Sequence, residues 1–196
     1  MRRVVYDCEI IKMVPKRFYD NLEDYEYCNG WNDFEGMGIA VIGVCDIDTE
    51  EKYYFSNQKT DAKIAYYPIR EFPKFVAAHE IWGFNSLNFD DRLCYANGLD
   101  IHTDHDLLCQ VRLAAFGSTN WEDQPYGFSY SLSTIAEANG MAKSGSGELA
   151  PKLWQDGKHQ EVVEYCLNDC LVTARLIKLF ESGALIDPNT GEKLGG

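Results

Sequence analysis

The 196-residue chain is 45% hydrophobic and 25% charged, with 31 Asp and Glu against 18 Lys and Arg and a formal net charge of −13. That balance excludes a protein that grips duplex nucleic acid through a broad basic surface, but not one that handles only the end of a strand, where bound cations supply the positive charge. No apolar run approaches the roughly 18 residues of a membrane span, and the seven cysteines form neither a Cys-x-x-Cys pair nor a Cys/His cluster at zinc spacing. The expectation is a cytoplasmic protein without a disulfide frame, folded as one domain over residues 1–182 with an insertion at about 12–36. Residues 183–196 read as a tail or a small hairpin.

The first predicted element is a strand at RVVYDCEI, residues 3–10. Side chains alternate along a strand, so Asp7 and Glu9 share one face while Tyr6, Cys8 and Ile10 share the other. Two carboxylates on a buried strand are costly unless something positive sits between them, and a hard divalent cation with oxygen ligands is the simplest neutraliser. The segment from Lys12 to Gly36 is polar and aromatic with no period. Met37 to Asp46 reads as a buried strand, paired across the turn DIDTEE with a second at Lys52 to Ser56. Ile69 to Ala78 is a weak helix. His79 to Phe84 is a strand, followed by the loop NSLN and a helix from Phe89 to Asn97 that Gly98 closes. Helices are also expected over Asp106 to Phe116 and Ser131 to Asn139, and the loop GMAKSGSGEL carries one cation, Lys143.

The longest helical pattern is Lys158 to Ser182. Glu161, Glu164, Asn168, Arg175 and Lys178 form its polar stripe. A second stripe, Tyr165, Asp169, Val172, Leu176 and Leu179, is apolar apart from one phenol and one carboxylate, which lie at i and i+4 and project to the same place. An acid on a core-facing stripe needs a partner. Cys166 and Cys170, also four apart, read as core. The closing Pro-Asn-Thr-Gly is a turn signal.

Three motifs in order give the sequence a family likeness. Asp7 and Glu9 in YDCEI, Asn85, Phe89 and Asp90 in GFNSLNFDD, and Tyr165 and Asp169 in YCLND resemble those of the DEDD superfamily of 3′-to-5′ exonucleases, specifically its DEDDy branch. The resemblance covers roughly residues 3–180 and implies an α/β, RNase H-like fold: a mixed β-sheet flanked by α-helices. It implies a phosphodiester hydrolase in which Asp7, Glu9, Asp90 and Asp169 hold two divalent metal ions, Mg²⁺ or Mn²⁺. Asp7 would bridge both ions, Glu9 and Asp169 would complete the nucleophile-side ion, and Asp90 would serve the leaving-group ion. Tyr165 would hydrogen-bond the attacking water as an orienter, and Asn85 and Phe89 would meet the substrate. Four acids from three separate elements converging at one sheet edge are also what a two-metal hydrolase needs on chemical grounds.

The partner implied is the 3′ end of single-stranded nucleic acid, with DNA slightly favoured. The alternatives are an RNA-trimming enzyme of the same fold, and an inert nuclease-like module that binds a polymerase or helicase. Several residues keep a plainer reading beside the functional one. Asp90 and Asp91 both suit a helix N-terminus, Asn85 either shapes a turn or joins the site, and Asp106 either caps its helix or takes part in catalysis. Of Trp31, Phe34, Phe84, Phe89 and Trp154, one or two at most are expected to stack on bases.

Overall fold

The computed structural model describes residues 1–15, 24–141 and 147–195. Part of the expected insertion, and the loop residue Lys143, lie outside these ranges. The elements in chain order are β1 (Arg2–Ile10), α1 (Phe34–Met37), β2 (Ile39–Asp46), β3 (Lys52–Ser56), β4 (Ala65–Tyr67), α2 (Phe72–Val76), β5 (His79–Gly83), α3 (Asp90–Ala96), β6 (His105–Asp106) and α4 (Leu107–Phe116). Then follow α5 (Leu132–Ala138), α6 (Ala150–Gln155), α7 (His159–Glu181), β7 (Leu185–Ile186) and β8 (Lys193–Leu194). Among the described residues no helix is long and apolar enough to cross a membrane.

Six strands form one sheet in the order β4-β3-β2-β1-β5-β6. β2 alone runs against the others: β1 and β3 pair with it antiparallel, whereas β4, β5 and β6 each join a parallel neighbour. The alternation of β1 assigns its two faces. Val4, Tyr6 and Cys8 pack with Phe34 of α1, Phe72 of α2 and Leu93 of α3. On the other face Val5 and Cys45 pack under α4, α5 and α7, and Val41 and Tyr54 pack under α6 and α7. The expected carboxylates, Asp7 and Glu9, therefore stand on the α7 face.

The two long-range features that set the site are a glycine and a helix. β2 carries Gly43 directly opposite Asp7, and a Cβ there would stand 2.8 Å from Cys166 Sγ and 3.3 Å from the Cys166 carbonyl carbon. Without a side chain at that position, α7 rests on the sheet backbone at the level of Asp7. The helix is held there by a stripe of fully buried residues including Val163, Cys166, Cys170, Leu176 and Ile177, each larger aliphatic one contributing roughly 1.5–3 kcal/mol by burial. Its polar stripe faces outward at Glu161, Glu164 and Arg175.

The aperiodic segment after β1 bonds to α6 rather than to a strand. Gln155 Nε2 donates to the carbonyls of Ile11 (3.0 Å) and Glu26 (3.1 Å), and its Oε1 accepts from Glu26 N (2.7 Å). Tyr25 donates to Asp156 at 2.9 Å. The chain's end turns back as the two-stranded β7–β8 hairpin, with Leu185 and Leu194 buried in the main core.

Candidate active site

The site begins where β5 leaves β1. Their parallel pairing ends at Val5 and Trp82, and the chain then turns so tightly that a Cβ on Gly83 would lie 1.8 Å from Ser86 Oγ. Asn85 sits in this turn at φ 61°, a left-handed conformation that asparagine tolerates better than most residues. Asp106 braces the turn from the next strand. Its carboxylate accepts from Asn85 N (3.0 Å), Leu87 N (3.2 Å), Leu108 N (2.9 Å) and Cys109 N (3.3 Å). It is thus both the cap of α4 and the bracket of the Asn85 loop, which is the capping alternative of the sequence reading extended to a second element.

The turn delivers the first residue of α3 to β1. Asp90 Oδ1 accepts from Cys8 N at 2.9 Å, the amide that lies between Asp7 and Glu9 and that β5 does not reach. Burial pushes the Asp90 carboxyl up from its ordinary 3.8 to about 7, opposed by the Cys8 N–H. Asp91 points elsewhere. It accepts from the Tyr6 hydroxyl and from Thr103 N (3.0 Å) and Oγ1 (2.7 Å), so it ties α3 to the chain ahead of β6.

Asp7 and Glu9 face α7 as their strand alternation requires. Carboxylate oxygens of both, together with Cys166 Sγ, lie within 4.8 Å of one another. The Cys166 thiol reaches Asp7 O at 3.3 Å and Asp7 Oδ2 at 3.6 Å, and burial, with the Asp7 charge adding to it, holds the thiol far above its ordinary range. The spacing of Cys166 indicates a core residue. It is buried, and it also belongs to the donor cluster, because Gly43 lets it approach.

Tyr165, next to Cys166, and Asp169, a turn further along α7, complete the group. The Tyr165 hydroxyl bonds to Asp169, and burial, then the charges of Asp169, Glu9 and Asp7, drive its pKa well above 10. At neutral pH this phenol is protonated. A cleft of about 510 Å³ opens over Asp7 and Asp169, walled by Phe84, Asn85, Arg112, Phe128 and Leu132 among others. Phe89 packs instead on the opposite sheet face, with its ring 5.8 Å from that of Phe34 in an edge-on contact. Of the two rings flanking the Asn85 turn, Phe84 is the one that lines the cleft, with Phe128 and Tyr130. Trp154 is buried against His159, whereas Trp31 is 65% exposed.

The donor set suits a hard divalent ion. Oxygens that lie within 4.8 Å of one another can share one cation at ordinary ligand distances of roughly 2.0–2.6 Å. The raised Asp90 carboxyl follows from burial, which penalises its charged form.

No protein-family model matches the chain, and no curated protein matches it. Among solved structures it is similar to the family B DNA polymerase from the hyperthermophilic archaeon Pyrobaculum calidifontis, with 17% sequence identity and a TM-score of 0.59. The match covers 97% of this chain and 26% of that one, so the chain spans about a quarter of that polymerase's length. At this identity the likeness concerns the fold: an α/β, RNase H-like mixed sheet with helices on both faces.

Proposed function

We propose that the chain is a metal-dependent 3′-to-5′ exonuclease of the DEDDy type, which releases nucleoside monophosphates from the 3′ end of a single strand. What supports this reading is that Asp7 and Glu9 of β1 bring carboxylate oxygens within 4.8 Å of one another, that Asp90 of α3 accepts from the Cys8 amide between them, and that Asp7 and Asp169 of α7 line one cleft, with Tyr165 bonded to Asp169. These acids would hold two divalent ions, Mg²⁺ or Mn²⁺, which when bound lower the pKa of a water and stabilise the leaving oxygen.

The chain's own groups set up that chemistry. Tyr165, unable to serve as a base with so high a pKa, orients the attacking water through its hydroxyl. The Cys8 N–H fixes the direction of the Asp90 carboxylate, and the Cys166 thiol steadies Asp7. Asn85, held by Asp106, presents its side chain beside Phe84, where the terminal nucleotide would lie and the ring would meet the base. Phe89 supports this turn from behind. The choice of DNA over RNA is a slight preference that depends on what meets the 2′ position.

A time course on 5′-labelled and 3′-labelled DNA and RNA strands with Mg²⁺ or Mn²⁺ tests the proposal. The expected result is stepwise shortening of the 5′-labelled strand and release of labelled mononucleotide from the 3′-labelled one, both abolished by excess chelator. Internal cuts, or undiminished hydrolysis in EDTA, would refute it.

A further inference from the structure

Seven arginines occur in the chain, and six lie among the described residues. Five of these meet a partner. Arg2 pairs with Glu51, Arg3 with Asp48 and Glu181, Arg70 with Glu71 and Arg175 with Glu50, while Arg92 lies over the Phe34 ring at 4.4 Å. Among the described residues Arg112 has no hydrogen-bond or ion-pair partner, and its Nε is buried without an acceptor.

Arg92 also lacks an acid but rests on a ring, whereas the buried Nε of Arg112 has neither, and a buried guanidinium N–H left without an acceptor is costly. Arg112 lines the cleft above Asp7 and Asp169, and it is the only cationic side chain among the described residues that do so. The guanidinium fork matches phosphate geometry. The acids beneath repel every phosphate of an entering strand. Bound ions would neutralise that repulsion at the scissile phosphate alone, so the phosphates further along the strand need a cation from the protein.

We infer that Arg112 is the anchor for one internal backbone phosphate, on the 5′ side of the scissile bond. This rests on the exonuclease reading and deepens it: the preferred substrate is a strand that extends past its terminal nucleotide and carries charge at a fixed distance from the 3′ end. Arg112 acts by positioning and does not touch the reacting atoms.

The test is the affinity of 5′-fluorescent single-stranded DNA for the protein in Ca²⁺, read by anisotropy, with one neutral methylphosphonate linkage walked through the last few positions. Arg112→Ala is expected to weaken binding of the unmodified strand by about 10- to 100-fold, the scale of a lost charge-assisted bond, and Arg112→Lys by less. At one position the methylphosphonate should weaken the parent by a similar factor and add nothing in Arg112→Ala. Equal binding by parent and variant, additive effects at every position, or no binding by the parent would each overturn the inference. Thermal melts of both variants establish that they are folded, and Arg112→Lys serves where Arg112→Ala is not. Position-specific coupling without cleavage in Mg²⁺ or Mn²⁺ would reject the exonuclease reading and leave the anchor standing, while cleavage without coupling would reject the anchor alone.

Discussion

Asp90→Asn should stabilise the metal-free protein at neutral and alkaline pH while removing its activity. The Asp90 carboxyl titrates near its ordinary 3.8 when unfolded and at about 7 when folded, because burial penalises the charged form. Below pH 4 the acid is protonated in both states and costs nothing. Between about pH 4 and 7 the unfolded chain gives up the proton and the native chain keeps it, so native stability falls as pH rises; above about 7 the loss is complete. The gap corresponds to roughly 4 kcal/mol at about 1.4 kcal/mol per pH unit. An asparagine keeps the carbonyl oxygen that accepts from Cys8 N and cannot ionise. Urea melts in EDTA should therefore find the variant close to the parent near pH 4 and more stable by roughly 2–4 kcal/mol at pH 8. Added Mg²⁺ or Mn²⁺ should raise the parent's stability by more than the variant's, which keeps Asp7, Glu9 and Asp169 but loses the Asp90 carboxylate. An advantage that does not grow between pH 4 and 8 would refute the reasoning.

Gly43→Ala places a Cβ 2.8 Å from Cys166 Sγ and should destabilise the fold by about 1–3 kcal/mol through overpacking. A lower thermal midpoint and weaker metal binding by calorimetry are expected together, since α7 must lift from β1; an unchanged midpoint would refute the contact. Tyr165→Phe removes one oxygen and leaves the ring. If the hydroxyl orients water, the single-turnover rate should fall roughly 10- to 1000-fold with binding nearly intact, and a rate within about twofold of the parent would reduce Tyr165 to a packing residue.

Much of the fold is written in local signals. β1 shows a period of two and α7 one of 3.6, β2 and β5 are short apolar runs bounded by turns, and Asp106 and Ser131 cap α4 and α5 as their positions indicate. β4, β6, α1 and α6 have two to six residues, too few to display a period. The residues of the proposed site, the four acids and Tyr165, stand out in the sequence through the spacing and order of three motifs. The role of Cys166 does not, because i, i+4 thiols on an apolar stripe signal burial, and only the register that sets Gly43 opposite Asp7 brings the sulfur to the carboxylates. Phe84 and Phe89 flank the same turn, and the twist of the chain through Asn85 decides which ring faces the cleft. Arg112 carries no sequence signal at all: that its Nε is buried without an acceptor among the described residues is visible only in three dimensions.

Whether hydrolysis resides in the four acids is tested most directly by single-turnover cleavage of a 5′-labelled single strand with saturating Mn²⁺. Asp7→Asn, Glu9→Gln, Asp90→Asn and Asp169→Asn should each abolish shortening from the 3′ end. Asp91→Asn, which loosens the ties to Tyr6 and Thr103, should melt at lower temperature and still cut. Normal cleavage by Asp90→Asn beside an inactive but folded Asp91→Asn, or full activity in any of the four, would contradict the account.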